Sequence, residues 1–154
     1  MEKVEFIKPD VLDIKFMQDL VYEDVENGNI LERNSNEMAT TIRSYTAAKV
    51  ADEFVGFVAV HIHTTSLAEI RSLVVKKEFR GKSIAKLLIE KAILEAKSLN
   101  LKKLLVLTYK KELFEYFGFN VIEKASLPDT KIWADCIKCK HFPICDEIAL
   151  TLDI

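Results

Sequence analysis

The sequence predicts an α/β (α+β) fold, with a mixed, mostly antiparallel central sheet of about six to seven strands flanked by about four helices. The first observation is size, because 154 residues, 49% of them hydrophobic, suffice for one core but not for two ordinary domains. The second is the change of hydrophobic period from a run of strands to a strand-helix-strand crossover, which requires a mixed sheet. We therefore expect a single domain over residues 1–154, completed by a cysteine-containing tail over residues 127–154.

The first part of the chain alternates strand and helix patterns. Val4 and Phe6 alternate with charged neighbours, which indicates an opening strand. Pro9-Asp10 then begins a helix with apolar residues at helical spacing, and Asn27-Gly28-Asn29 ends it. A second, short helix is predicted over residues 36–42.

The middle of the chain predicts a hairpin, a further strand and the longest helix. Residues 44–50 and 54–62 read as two strands joined by a tight turn at Ala51-Asp52-Glu53. Residues 67–75 form the next strand. Apolar residues then recur at helical spacing over residues 83–98.

The last part predicts short elements. Residues 103–108 (KLLVLT) form a buried strand, residues 112–117 a single short helix, and residues 118–122 the start of another strand. Residues 147–153 (EIALTLD) alternate and close the chain as a strand.

The charge balance restricts the kinds of partner. With 22 Lys and Arg against 24 Asp and Glu, the net charge of -2 provides no basic field that would attract nucleic acid. The N-terminus lacks the apolar core of a signal peptide, and no apolar run approaches the about 18 residues of a membrane span. We expect a soluble, cytoplasmic protein that binds a small molecule, and leave open whether it forms a homodimer.

An anion site is predicted at the start of the longest helix, in the stretch FRGKSIAKLLIEKA (residues 79–92). The backbone N–H groups of residues 81–85 are donors at a helix N-terminus, and Arg80 and Lys82 place positive charge beside them. A pyrophosphate suits such a site. Ser83 stands where a second glycine would allow closer backbone approach, and the motif taken alone would favour Ser83 as an ordinary N-cap.

The order of motifs around this loop resembles the acetyl-CoA-binding core of the GNAT superfamily of N-acetyltransferases. EIRSLVVKKEFRGKSIAKLL (residues 69–88) is followed by LLVLT (residues 104–108) and LFEYFGF (residues 113–119). The loop resembles the superfamily's R/Q-x-x-G-x-G/A pattern, with Ser83 in place of a glycine. The resemblance covers about residues 2–123 in the order of elements. It implies a GNAT-like fold and acetyl-CoA as cosubstrate.

The resemblance also assigns residues to the cofactor. Loop amides would bind the pyrophosphate, and the exposed backbone of a splayed strand would pair with the pantetheine arm. The residues so assigned are Leu73, Val74, Val75, Arg80, Gly81, Lys82, Ser83, Ile84 and Ala85. In this chemistry the amine attacks the thioester directly, so the enzyme takes a proton from an ammonium group and returns one to the leaving thiolate.

The catalytic candidates follow from the same frame. Glu69 precedes the cofactor-binding strand segment and is the candidate proton acceptor, the alternative being a solvated strand-end charge paired with Arg71. Thr108 is the candidate partner of the thiolate. Many GNAT enzymes carry a tyrosine at the position of Phe114, which cannot donate a proton. Tyr116 lies two residues further along the helix and hence on a different face.

The acceptor is suggested by two further segments. The tail LPDTKIWADCIKCKHFPICDEIAL (residues 127–150) and NGNILERN (residues 27–34) resemble the short bacterial N-acetylglutamate synthase type, amino-acid N-acetyltransferases of arginine biosynthesis. That resemblance implies L-glutamate as acceptor, and its two carboxylates require at least two cations. Arg33, Arg71 and Lys131 are the candidates, although a surface charge is the commoner role of each.

Two other readings of the chain stay open at this point. One is a GNAT enzyme with another amine acceptor, such as a protein N-terminus or a polyamine. The other is a CoA-binding or zinc-stabilised module without catalysis, which Phe114 and the cysteine-rich tail make conceivable.

The tail also carries a candidate metal site. Three thiols and an imidazole would suffice for tetrahedral zinc, and they come from Cys136, Cys139, His141 and Cys145. A disulfide, disfavoured in a reducing cytoplasm, and simple packing of small residues are the alternatives.

A histidine pair lies on the predicted strand over residues 54–62 and just beyond it. His61 and His63 alternate and therefore share a face, from which they could line an amine site. The plainer prediction is that both are polar positions at the outer end of that strand.

Overall fold

A computed structural model describes residues 3–28, 32–124 and 147–154, which form seven strands and four α-helices. The strands are β1 (Val4–Ile7), β2 (Tyr45–Val50), β3 (Glu53–Ile62), β4 (Leu67–Val75), β5 (Lys103–Thr108), β6 (Asn120–Ile122) and β7 (Ile148–Asp153). The α-helices are α1 (Ile14–Glu26), α2 (Ser35–Thr40), α3 (Ile84–Ser98) and α4 (Lys111–Glu115). Within these ranges, none of the helices has the length and apolarity needed to cross a bilayer.

The strands form one mixed sheet in the order β1-β2-β3-β4-β5-β7-β6. Every neighbouring pair is antiparallel except β4 and β5, which are parallel and joined through α3. The predicted fold class is thereby confirmed. The sequence did not predict that β7 inserts between β5 and β6, because strand order depends on which edges meet in space and alternation along a strand does not encode it.

Several helix boundaries differ from the prediction, and 3-10 turns account for two of the differences. Asp10 does start a capped turn, since its carboxylate accepts from the N–H of Leu12 and its own N–H donates to Asp13, each at 2.9 Å. That turn is a 3-10 turn over Val11–Asp13, and α1 begins only after it. The predicted second helix ends early for a similar reason, because a separate 3-10 turn over Ile42–Ser44 follows α2.

The sheet is covered on both faces, which explains why β2 to β5 are apolar almost throughout. α3 packs on one face, where it buries Ile84, Leu88, Ile89, Ala92 and Ala96. α1 and α2 pack on the other face, where the second core consists of Ile14, Met17, Met38, Tyr45, Ala47, Phe57, Ala59 and Val74.

A β-bulge interrupts β4 near its C-terminal end. Ser72 and Leu73 together stand opposite Val58 of β3, because the pairing register shifts between Phe57 and Ala59. Ser72 adopts φ +59°, in the left-handed region that residues other than glycine rarely occupy. The bulge turns the strand and directs Ser72 away from the regular alternation.

The two parallel strands part just before the bulge. β4 and β5 pair from Leu67 with Lys103 to Glu69 with Leu105, and the ladder ends there. Residues 70–75 of β4 therefore have no strand partner on that side among the described residues. The fold presents an open backbone edge in the middle of its sheet.

Candidate active site

The parting of β4 from β5 opens a cleft of about 700 Å³. Its walls are the open edge of β4, the end of β5, the first turn of α3 and part of α4. Most of the predicted cofactor residues line it, namely Leu73, Val74, Val75, Arg80, Gly81, Ser83, Ile84 and Ala85. Lys82 does not line it; its ammonium lies 5.4 Å from the ring centroid of Phe79.

The loop before α3 is shaped by two residues with positive φ. Gly81 has φ +81° and Ser83 has φ +66°. The Ser83 side chain makes no capping hydrogen bond, so it is not an ordinary N-cap. The first intrahelical bond runs from the N–H of Leu87 to the carbonyl of Ser83. The N–H groups of residues 84–86 consequently have no partner within the helix, and they form its donor end.

The backbone edge of β4 faces this donor end. The N–H of Lys76 donates to the carbonyl of Val55 at 2.7 Å, which makes Gly56 and Val75 a non-hydrogen-bonded pair. The N–H and C=O groups of Val75 therefore point away from β3, into the cleft. Its carbonyl accepts a hydrogen bond from Nε of Arg80 at 3.0 Å. This bond ties the start of the loop to the end of the strand.

Gly56 allows β3 and β4 to approach closely at this point. A Cβ at position 56 would lie 2.6 Å from the carbonyl oxygen of Val74 and 3.3 Å from a methyl group of Leu88. Only glycine fits between the strand and α3 here, because any side chain at position 56 would clash with β4 and α3.

A second, smaller cavity of about 170 Å³ lies on the α1 side of the sheet. It is lined by Gln18, Val21, Tyr22, Val25, Glu26, Glu32, Arg33, Met38, Tyr45, Phe57 and Ser72. Ser72 lines both cavities, since the bulge places it where they meet. A molecule in the smaller cavity would thus adjoin one in the cleft across this residue.

Two of the three predicted substrate cations converge on Tyr45, which is only 2% exposed. Burial raises the pKa of its phenol above the ordinary value of 10.0, so the group is neutral at physiological pH. The charges of Arg33 and Arg71 oppose that rise, as do hydrogen bonds with Thr41 and Ser72. The phenol and both guanidinium groups therefore lie close together.

The predicted proton acceptor is buried, not solvated. Glu69 is 2% exposed, and Nε2 of His63 lies 2.9 Å from its Oε1. The side chain of His63 is 3% exposed, so the prediction of a polar position at the outer end of the strand is wrong for this residue. The ring of His61 meets that of His63 edge to face, with centroids 4.9 Å apart. Glu69 lies next to Ile70, which lines the cleft.

The residues at the far wall of the cleft differ in what they can donate. Thr108 lines it, and its hydroxyl accepts the N–H of Lys110 at 2.9 Å. Phe114 also lines it and has no polar atom in its side chain. Tyr116 is 68% exposed. The ammonium of Lys86 lies 4.2 Å from its ring centroid, in a cation–π contact. Lys86 in turn lines the cleft.

Some sequence predictions fall outside the described residues. These are Lys131 and the candidate metal ligands Cys136, Cys139, His141 and Cys145.

The structure adds residues that the sequence did not single out. Tyr45 and the partnership of His63 with Glu69 depend on the register between strands, which a single sequence does not show.

Comparison with known proteins places these features in a family. Residues 13–119 match the model of the Acetyltransferase (GNAT) family. An uncharacterized N-acetyltransferase of Chlorobaculum tepidum is 38% identical over 123 residues, which are 80% of this chain and 79% of the relative. An amino-acid acetyltransferase of Mycobacterium tuberculosis is 30% identical over 97 residues, which are 61% of this chain and 56% of that protein.

The fold also matches a solved structure. N-acetylglutamate synthase from Neisseria gonorrhoeae, complexed with coenzyme A and N-acetyl-glutamate, superposes with a TM-score of 0.86 over 99% of this chain, at 18% identity. The chain spans about a third of that synthase, 35% of its length. The two share the fold of the acetyltransferase domain.

The raised pKa of Tyr45 predicts a loss of stability at alkaline pH. Because the folded phenol holds its proton above pH 10.0 and the unfolded phenol does not, its contribution is complete below that pH and falls as pH rises towards the folded value. Tyr45→Phe should therefore flatten the fall of the unfolding free energy between about pH 9 and pH 11. Urea unfolding across this range measures the slope, with exposed Tyr22→Phe as the matched control. Equal slopes in both variants would contradict the prediction.

Proposed function

The chain belongs to the GNAT family of acetyltransferases, and from that premise we propose that it transfers the acetyl group of acetyl-CoA to the α-amino group of L-glutamate. Membership of the family makes the chain an acetyl-CoA-dependent N-acetyltransferase. The identity of the acceptor, L-glutamate, is what we propose. The observation that carries the acceptor is the convergence of Arg33 and Arg71 on neutral Tyr45, at the junction of the two cavities. With it we propose a role in arginine biosynthesis.

The relatives support an amino-acid acceptor. The Mycobacterium tuberculosis protein is named an amino-acid acetyltransferase, and the Neisseria structure contains N-acetyl-glutamate. The tail and the segment over residues 27–34 resemble the same group of enzymes. These likenesses support a free amino acid over a protein N-terminus.

The cleft supports the proposed site for acetyl-CoA. Donors at the start of α3 face the cleft mouth, where Arg80 and Lys86 add positive charge, so a pyrophosphate would be held by both. The open edge at Leu73 and Val75 would pair with the amide groups of the pantetheine arm, as an added strand does. We place the thioester beside Ser72, at the inner end of that edge.

The smaller cavity supports a single amino acid as acceptor. Its 170 Å³ is below the about 300–1,000 Å³ typical of pockets for larger ligands. Arg33 and Arg71 would bind the two carboxylates, while the Tyr45 phenol can donate a further hydrogen bond. A polyamine would bring positive charge towards both guanidinium groups, although Glu26 and Glu32, which also line the cavity, would offset part of that repulsion.

The proposed chemistry needs one proton acceptor and one proton donor. Glu69 would take the proton of the acceptor's ammonium group through a bridging water, because Ile70 and not Glu69 lines the cleft. The freed amine attacks the thioester carbon, and the C–S bond breaks as the tetrahedral intermediate collapses; the extra proton on the nitrogen then passes to the departing thiolate of CoA. Thr108 would stabilise that thiolate from the end of β5. No group on the protein becomes acetylated in this sequence.

The acceptor is tested by thiol release from acetyl-CoA with a panel of amines. We expect turnover with L-glutamate well above that with L-aspartate, L-glutamine, L-leucine, spermidine or a short peptide, because only glutamate places two carboxylates at its own spacing. Turnover restricted to spermidine or the peptide would refute the proposal. Binding of CoA without turnover of any amine would instead indicate a module without catalysis.

Arg33→Ala should raise KM for the amino acid by about tenfold or more and change KM for acetyl-CoA by less than about twofold. The reason is that Arg33 lines the smaller cavity and not the cleft. Arg43→Ala is the matched control, since it removes the same charge from an exposed residue of the neighbouring 3-10 turn. Equal rises in both KM values would place Arg33 in the wrong site.

Ser83→Gly should retain or tighten CoA binding, measured by isothermal titration calorimetry. At φ +66°, serine bears a conformational cost of about 1–2 kcal/mol that glycine does not. Gly81→Ala is the opposite comparison, because its Cβ would meet no atom within 4 Å and φ +81° leaves backbone strain as the sole change. It should weaken binding. Marked loss of affinity in Ser83→Gly would mean that the hydroxyl itself binds the cofactor.

A further inference from the structure

The pair formed by Glu69 and His63 is the most deeply buried pair of titratable side chains in the described residues. Their side chains are 2% and 3% exposed, and Nε2 of His63 lies 2.9 Å from Oε1 of Glu69. Glu69 lies on the central strand β4, and His63 lies just beyond the end of the neighbouring central strand β3. The contact closes the hairpin that these strands form, where the N–H of His63 donates to the carbonyl of Leu67 at 2.9 Å.

A carboxylate in this position has to be kept ionised. Removal from water favours the neutral acid, and a carboxyl that retains its proton cannot take one from an ammonium group. A hydrogen bond donated to the charged form acts in the opposite direction. Because an ionised carboxylate only accepts, Nε2 of His63 is the donor in this contact.

We propose that His63 is a positioning residue for the acetyl transfer: its Nε2–H donates to Oε1 of Glu69 and keeps the carboxylate ionised, so that Glu69 can take the acceptor's proton. The inference rests on the proposed role of Glu69 as proton acceptor. The proton passes from the ammonium nitrogen through the bridging water to the carboxylate of Glu69, and the nitrogen keeps the electron pair with which it attacks the thioester. His63 neither gains nor loses a proton in this step.

The surroundings of Glu69 agree with this assignment. On β3, His61 pairs directly with Glu69, and its ring packs edge to face against that of His63. That packing fixes the plane of the His63 ring. On β4, Arg71 is the next charged residue along the strand, at the edge of the cleft. On β5, the partner of Glu69 is Leu105, which is apolar and 1% exposed.

The test compares kcat against pH, at saturating acceptor and acetyl-CoA, in the unaltered protein and in His63→Phe. Phenylalanine keeps a planar ring against His61 but has no N–H, so Glu69 should hold its proton more tightly. We expect the acidic limb of the profile to move up by about one pH unit. On the acidic limb, kcat of His63→Phe should be about tenfold below that of the unaltered protein. On the alkaline plateau the two kcat values should be equal. Ionisation of the acceptor amine is common to both proteins and cancels.

His63→Gln provides the conservative rescue, because a glutamine side-chain N–H can occupy the place of Nε2–H. Its acidic limb should lie closer to that of the unaltered protein than the limb of His63→Phe does. If His63→Phe does not fold, His63→Met serves as the variant without a donor. If kcat of the variants falls by the same factor at every pH and the acidic limb does not move, His63 only packs against its neighbours, and the proposal is overturned.

Glu69→Gln separates this inference from the proposed function. It should lower kcat by about a hundredfold or more and abolish the acidic limb, with CoA affinity unchanged. Full turnover in Glu69→Gln would overturn both the role of Glu69 and that of His63, while glutamate could still be the acceptor. A limb that moves as expected with an acceptor other than glutamate would preserve the inference and refute the proposed acceptor.

Discussion

The site depends on the way in which β4 and β5 part after a short parallel ladder. Each strand keeps a full partner on its other side, since β3 pairs along β4 and β7 pairs with β5 from Lys103 to Thr108. The separation therefore leaves unpaired only the inner edges of the two strands. An exposed edge inside a sheet is costly when nothing bonds to it, and a ligand with its own amide groups can complete it. The fold thus contains an incomplete hydrogen-bond ladder between β4 and β5, which a cofactor with amide groups would complete.

The second constraint is the distribution of charge on one face of the sheet. Tyr45 pairs with Ala59, Ala59 pairs with Arg71, and the next pair on the same face joins His61 to Glu69. Side chains on directly paired residues share a face, so a phenol, a guanidinium, an imidazole and a carboxylate follow one another across three strands. In a buried sheet such groups persist only where each has a partner. The pairing of Glu69 with His63 and the contacts of Tyr45 meet that requirement.

Much of the fold was predictable from the sequence because its signals are local. β4 and β5 begin and end at the predicted residues, since alternation and flanking polar turns define a strand without reference to its neighbours. The turn before α3 was predictable for the same reason. The burial of His63 was not, because it depends on which strand lies opposite and in what register. The bulge at Ser72 also lacks a local signal, since no glycine marks the positive φ there.

A single strand carries most of the proposed site, and its order explains how two substrates would be brought together. Along EIRSLVV, Glu69 is the proposed base and Arg71 a proposed carboxylate ligand. Ser72 lines both cavities, and Leu73 and Val75 belong to the cofactor edge. In simple alternation, the side chains of Glu69, Arg71, Leu73 and Val75 would all lie on the same face of the sheet. The bulge breaks that alternation between them. It would let one strand present a backbone edge to the cofactor and side chains to the acceptor, so that the thioester and the amine would meet at Ser72.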